Sequence, residues 1–175
     1  DPTINDVLIE GNKAEGNNAD GGGIYISYSN STLNNLKILS NTADGYGSRG
    51  GGLFISQGSP SIEDILIVEN NVISDENNEG NGGGLYLYST DATLTKASII
   101  NNQTDDYGGG IYISSGSPNF VNNTIINNKS DIEYDGVLVN NNATPVFSNS
   151  NFSNNGMALY NSDNSNIITA ENNWW

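Results

Sequence analysis

The sequence predicts an all-β solenoid of about six stacked coils, each built from three short parallel strands. Three regularities predict it. A glycine-led strand recurs as Gly-Gly-Gly-Ile-Tyr-Ile-Ser at residues 21–27, and again from Gly50, Gly82 and Gly108, with weaker copies around Gly136 and Gly156. An apolar residue is followed three positions later by asparagine at Asn12, Asn41, Asn70, Asn102, Asn128 and Asn155. All four prolines, Pro2, Pro60, Pro118 and Pro145, stand two residues before an apolar position. Self-similarity at a period of this size is the signature of a repeat architecture.

The first strand of each coil follows the glycines. Its markers are Ile24, Leu53, Leu85, Ile111, Val137 and Met157, spaced 29, 32, 26, 26 and 20 residues apart. Glycine precedes every marker, which points to a close backbone approach or a positive φ at a corner. Alternation turns Ile24 and Ile26 inward and Tyr25 and Ser27 outward. The second strand starts after the proline corner and carries Ile4, Leu33, Ile62, Leu94, Phe120, Phe147 and Ile167. Proline is tolerated where a strand begins and not inside a paired ladder. Five residues on, the third strand carries Ile9, Ile38, Ile67, Ile99, Ile125 and Phe152. Between the second and third strands the chain bends at Asp6, Asn35, Asp64, Lys96, Asn122 and Asn149, mostly residues that tolerate left-handed backbone. The asparagines are expected to form a ladder along the axis. Length variation collects between the asparagine and the glycines, as a solenoid with insertions on one face requires.

Composition narrows the chemistry. Twenty acidic against five basic residues give a net charge of -15, which disfavours nucleic acid and anionic membrane surfaces. Without cysteine there are no disulfides or thiolate metal sites, and without histidine the usual base near neutral pH is missing. No apolar run reaches the length of a membrane span. A helical solenoid is excluded by the lack of long 3.6-residue periodicity and the abundance of Gly, Asn and Ser. Disorder does not account for six aligned glycines and six aligned asparagines.

These repeated Gly-Gly-Gly-Ile-Tyr-Ile-Ser, Gly-Ser-Pro-Ser-Ile and Ile-Ile-Asn-Asn units resemble right-handed parallel β-helix repeats. They are similar to the pectate-lyase-like superfamily and to secreted bacterial surface proteins built from such coils. The closing Glu171-Asn-Asn-Trp-Trp175 resembles a segment common near the end of such arrays. The resemblance implies the right hand, which the rule for parallel crossovers also favours. It implies an extracellular or cell-surface location and reads residues 1–175 as a single β-helix domain from a longer secreted protein.

Three sets of residues are candidates for function. Tyr25, Phe54, Tyr86 and Tyr112 share the outward position of the first strand, and the row is expected to end at Leu138 and Ala158. Such a strip suits stacking on sugar rings or docking a cell-surface partner protein; the alternative is aromatic stacking that only stabilises the sheet. Acidic residues crowd the variable loops, and Asp44, Asp75, Glu76, Asp105 and Asp106 are the choice for a Ca²⁺ site, against the alternative of a solvated face. Arg49, the only arginine, is the single candidate for the basic residue that the resemblance to polysaccharide lyases would demand. The outward positions of the first strand hold no carboxylate pair of the kind glycoside hydrolysis uses. The sequence therefore favours a secreted or surface module with a structural, adhesive or carbohydrate-binding role over a Ca²⁺-dependent polysaccharide lyase. Its partners would be polysaccharide or a cell-surface protein, with no nucleic acid and no membrane insertion. Replacing Leu85 by Asp should be strongly destabilising, because it puts an unpaired charge into an apolar stack. A melting temperature equal to that of the parent would place Leu85 in water and shift the strand phase by one residue.

Overall fold

A computed structural model describes residues 1–74 and 80–175. Among them the chain winds as a parallel β-solenoid with no helix. The glycine-led segments Ile24–Ser27, Leu53–Ser56, Leu85–Tyr88, Ile111–Ser114, Val137–Asn140 and Leu159–Asn161 form one parallel sheet in sequence order, here called the glycine sheet. Thr3–Asn5, Thr32–Asn34, Ser61–Glu63, Thr93–Thr95, Asn119–Val121, Val146–Ser148 and Thr169–Glu171 form a second, after the proline corner. Leu8–Glu10, Lys37–Leu39, Leu66–Val68, Ser98–Ile100, Thr124–Ile126 and Asn151–Ser153 form the third. The six strands of the glycine sheet mark five complete turns.

Each inward position stacks on its own copy in the next turn. Leu85 pairs with Leu53 on one side and Ile111 on the other, and Leu87 with Ile55 and Ile113. These residues join Leu33, Ile62, Leu94, Ile67 and Ile99 in one buried cluster. Every such side chain contributes roughly 1.5–3 kcal/mol on burial. Towards the C-terminal end the core becomes aromatic: Phe147 stacks on Phe120 with centroids 4.5 Å apart, and Trp175 lies over Phe152 at 4.7 Å.

The corners use the left-handed conformation. All six bend residues between the second and third strands have φ between 51° and 58°. A second series stands immediately before the ladder asparagines, at Gly11, Ser40, Glu69, Asn101, Asn127 and Asn154, again with positive φ. Left-handed backbone costs an ordinary residue roughly 1–2 kcal/mol, and least where Gly, Asn or Asp supplies it.

The asparagine ladder is complete. From Asn12 to Asn128, each backbone N–H donates to the side-chain oxygen of the next asparagine along the axis, at 2.9–3.0 Å. Each carboxamide nitrogen donates to that same oxygen. From Asn41 onward it also donates to the carbonyl of a third-strand residue one turn back, as Asn102 does to Ile67 at 3.0 Å. A buried asparagine here makes all four hydrogen bonds its side chain can offer.

Two expected positions move in the last turn. Leu159, not Met157, pairs with Val137, and Ala170, not Ile167, pairs with Phe147. Met157 and Ile167 are exposed. Ala158, not Gly156, takes the corner position, since Val137 donates to its carbonyl at 3.0 Å as Ile111 donates to that of Gly136 at 2.9 Å.

A fourth, five-stranded sheet has no counterpart in the expected coil. It pairs Lys13–Glu15, Thr42–Asp44, Asn71–Ile73, Gln103–Thr104 and Lys129–Ser130, directly after the ladder asparagines. Strands of two or three residues are too short for an alternating pattern to stand out in sequence.

Replacing Asn102 by Leu, which has the same branching at Cγ but no polar atoms, should cost roughly 3 kcal/mol or more, since one buried unsatisfied polar group already costs about 1–3 kcal/mol and several lose partners at once. Denaturant unfolding measures this, and a cost below roughly 1 kcal/mol would mean that the ladder does not hold the turns together.

Candidate ligand-binding cleft

The site is built by an excursion of the chain. After each ladder asparagine the chain runs outward along the fourth sheet, turns, and returns to the glycine corner. The returning legs pair with one another through single parallel bridges: Asp20 to Arg49, Arg49 to Asn81, Asn81 to Tyr107, and Tyr107 to Glu133. Ala14, Ala19, Ala43 and Val72 form a small core between the legs. Outgoing and returning legs thus make a thin lobe beside the coil. The last turn has none, because Leu159 follows Asn155 after three residues.

The lobe covers the outward aromatic row. Phe54, Tyr86 and Tyr112 are in register on the outer face of the glycine sheet and buried, Phe54 to 2 % exposure, whereas Tyr25 at the free edge keeps 51 %. Neighbouring rings stand 5.0 Å apart along the row, and Tyr86 lies parallel to Tyr112. With Leu138 they form a second hydrophobic cluster, against which Tyr107, Tyr134 and Tyr160 pack. The strip is largely an interior feature.

Arg49 fastens the lobe to this row. Its Nε and Nη2 donate to the two carboxylate oxygens of Asp20, each at 2.9 Å. The guanidinium carbon lies 5.2 Å from the Phe54 ring centre and 5.7 Å from that of Tyr86. Burial works against its charge, but the hydrogen bonds and charge of Asp20 outweigh it and raise the guanidinium above its ordinary value. Arg49 is therefore a cation clamped between a carboxylate and two ring faces, an arrangement that binds parts of the protein to each other rather than taking up a proton.

The row does not stop at Leu138 and Ala158. Leu138 pairs with Tyr160, not with Ala158, so an aromatic ring returns one turn later. Tyr160 stacks on Tyr134 with centroids 4.2 Å apart, and Tyr134 stands 5.9 Å from Tyr107. Leucine is the short member between Tyr112 and Tyr160, and the last strand has no lobe above it. Together these leave a cleft of about 450 Å³, walled by Tyr107, Tyr112, Tyr134 and Tyr160 with Leu138 on its floor. Polar groups close one end. Asn140 Nδ2 donates to the Tyr112 hydroxyl at 2.9 Å, and Asn140 Oδ1 accepts from Ser162 Oγ at 2.9 Å. Glu133 also lines the cleft. Its hydrogen bond to the neighbouring phenol, with burial and Tyr160 adding to it, pushes Tyr134 up to about 12. The spacing of glycines hid Tyr160, and Tyr107 and Tyr134 carry no repeat signal because each lies in a loop of variable length.

Three of the five acidic residues expected to hold calcium, Asp44, Asp105 and Asp106, have other partners. Asp44 pairs with Lys13 at 2.8 Å. Asp105 accepts from the hydroxyl and backbone N–H of Ser74, and Asp106 from the backbone N–H of Gly80. Asp75 and Glu76 lie outside the described residues. Among the described residues no three carboxylates converge as a metal site would require.

A family model described as "Right handed beta helix region" matches residues 6–174. Comparison with curated proteins and with solved structures gave no match.

Burial also marks Tyr86 by its titration. Desolvation, reinforced by Tyr112 and partly offset by Ser114 and Arg49, pushes its phenol up to about 12 from an ordinary 10.0. The folded state holds this proton more tightly than the unfolded chain, so its contribution is complete below pH 10 and is lost as pH rises to about 12. Thermal unfolding of the parent should fall more steeply across that window than that of Tyr86→Phe. Parallel curves would mean that Tyr86 is solvated.

Proposed function

We propose that this chain, which belongs to the right-handed β-helix family, is a secreted or cell-surface module that binds carbohydrate in the cleft between Tyr112 and Tyr160. The observation that carries this reading is the interruption of a covered aromatic row at Leu138. Phe54, Tyr86 and Tyr112 fill the row with buried rings; at Leu138, itself buried, the row lacks a ring, and four tyrosines line unfilled space. Tyrosine rings offer apolar faces to the C–H groups of a sugar ring, and their hydroxyls offer hydrogen bonds at the rim. Asn140 and Ser162, already held in place by one another and by Tyr112, provide orienting groups that need little ordering on binding. The volume lies within the range of small-molecule sites, enough for a short stretch of an extended glycan. Binding of this kind requires no catalytic group and accords with an adhesive role, in which the stacked coils act as a stiff mount.

The test is to fill the gap. Leu138→Trp places a large ring where the row is short, and Tyr160→Ala removes one wall. Both should weaken binding on a glycan array by at least roughly tenfold, equivalent to about 1.4 kcal/mol, while Leu138→Trp keeps the parent melting temperature. Binding should survive a chelator. Unchanged binding by Leu138→Trp, or no glycan bound by the parent, would overturn the proposal.

A further inference from the structure

We infer that the cleft selects sugars carrying a protonated amine over neutral and acidic ones. The inference rests on the glycan-binding reading and adds the charge of the ligand to it. Among the described residues, Glu133 is the only charged one lining the cleft. It is exposed, at the end of the ladder of returning legs, and its carboxylate accepts a hydrogen bond from the phenol of Tyr134, whose ring stacks on Tyr160. Ring faces attract cations through their quadrupoles, and a carboxylate beside them adds a direct partner for an ammonium group.

The distribution of the chain's cations supports the same sign. Lys13, Arg49, Lys96 and Lys129 are each engaged by carboxylates, at Asp44, Asp20, Glu63 and Asp131, and Lys37 lies on the third sheet. None of them lines the cleft. An acidic sugar would therefore meet a carboxylate without a compensating cation. The surrounding field points the same way, since a net charge of -15 draws cations towards the molecule and repels uronates. An N-acetylated sugar keeps its ring for stacking but loses the charge, so it separates the two contributions.

The experiment measures binding of three oligosaccharides of equal length by calorimetry at mildly acidic pH: glucosamine, N-acetylglucosamine and galacturonic acid. The glucosamine oligomer should bind at least roughly tenfold more tightly than its acetylated counterpart, as an ion pair combined with cation–π contact allows. Galacturonic acid should bind weakest. In Glu133→Gln the preference for the amine should fall to about threefold or less, with the acetylated oligomer little changed. Leu138→Trp, which leaves the net charge as it is, separates the cleft from general attraction to an acidic surface: it should lose the glucosamine oligomer too. Retention of that oligomer by Leu138→Trp would overturn the inference. Equal binding of the amine and its acetylated form would overturn the selection while leaving glycan binding intact. Failure of all three to bind the parent would overturn both.

Discussion

The turns are held in register by one interaction, the hydrogen-bonded ladder of buried asparagines. It links each turn to the next through a backbone N–H and a side-chain amide, and it reaches back to a carbonyl of the turn before. Because all four side-chain hydrogen bonds are used in a buried place, slipping the register would leave several polar groups without partners. The glycines follow from the same ladder. A Cβ on Gly84 would lie 2.9 Å from the Asn102 carboxamide, and one on Gly110 would lie as close to Asn128. The backbone crowds the same position, since that Cβ would lie 2.8 Å from the Gly110 carbonyl oxygen at Gly84 and 2.6 Å from that of Gly136 at Gly110, so the glycine corner is closed by its own neighbour as well as by the asparagine.

Length variation is consequently pushed to the one place the ladder leaves free, between the asparagine and the glycine corner. The chain does not spend it on loose loops. It pairs successive excursions into a fourth layer of contacts: outgoing strands, single-residue bridges on the return, and a small core of alanine and valine between them. This lobe changes the meaning of the aromatic row. An outward tyrosine on a bare solenoid would face water. Beneath Arg49, Tyr107 and Tyr134 it becomes a member of a second core, and Tyr86 takes on the titration of a buried phenol.

How far the sequence could be read follows from which features repeat. The inward stacks, the left-handed bends and the asparagine ladder recur at fixed offsets, so residues such as Leu85, Asp64 and Asn102 were legible in position and role. The lobe strands were not, because their inward residues, Ala14, Ala43, Val72, Thr104 and Ser130, are small and chemically mixed. A second polar series was equally hidden: Ala97 donates to Asn123, Asn123 to Ser150, and Ser150 to Asn173, at a position that holds buried Leu36 and Ile65 in earlier turns. The cleft was half visible. Tyr112 and the change at Leu138 lie on the repeating strand, but Tyr160 lies two residues beyond where the glycine placed it, and Tyr107 and Tyr134 come from the variable excursion.

A repeating architecture gives every turn the same surface, so a distinct site can arise only where the repeat is broken. Three breaks meet at one place here. The row loses a ring at Leu138, the lobe ends with Glu133 and Tyr134, and the final turn returns to the glycine sheet without an excursion. Each alone would be absorbed: a single leucine under a continuous lobe would be packed over, and a lobe ending above a filled row would leave a flat edge. Their coincidence leaves concave space walled by tyrosines and bordered by a carboxylate. The regular turns supply the stiffness that fixes those walls relative to one another, as a binding site on rigid elements requires. The chemistry of the site therefore belongs to the irregular rungs, and the fold's contribution is to hold them still.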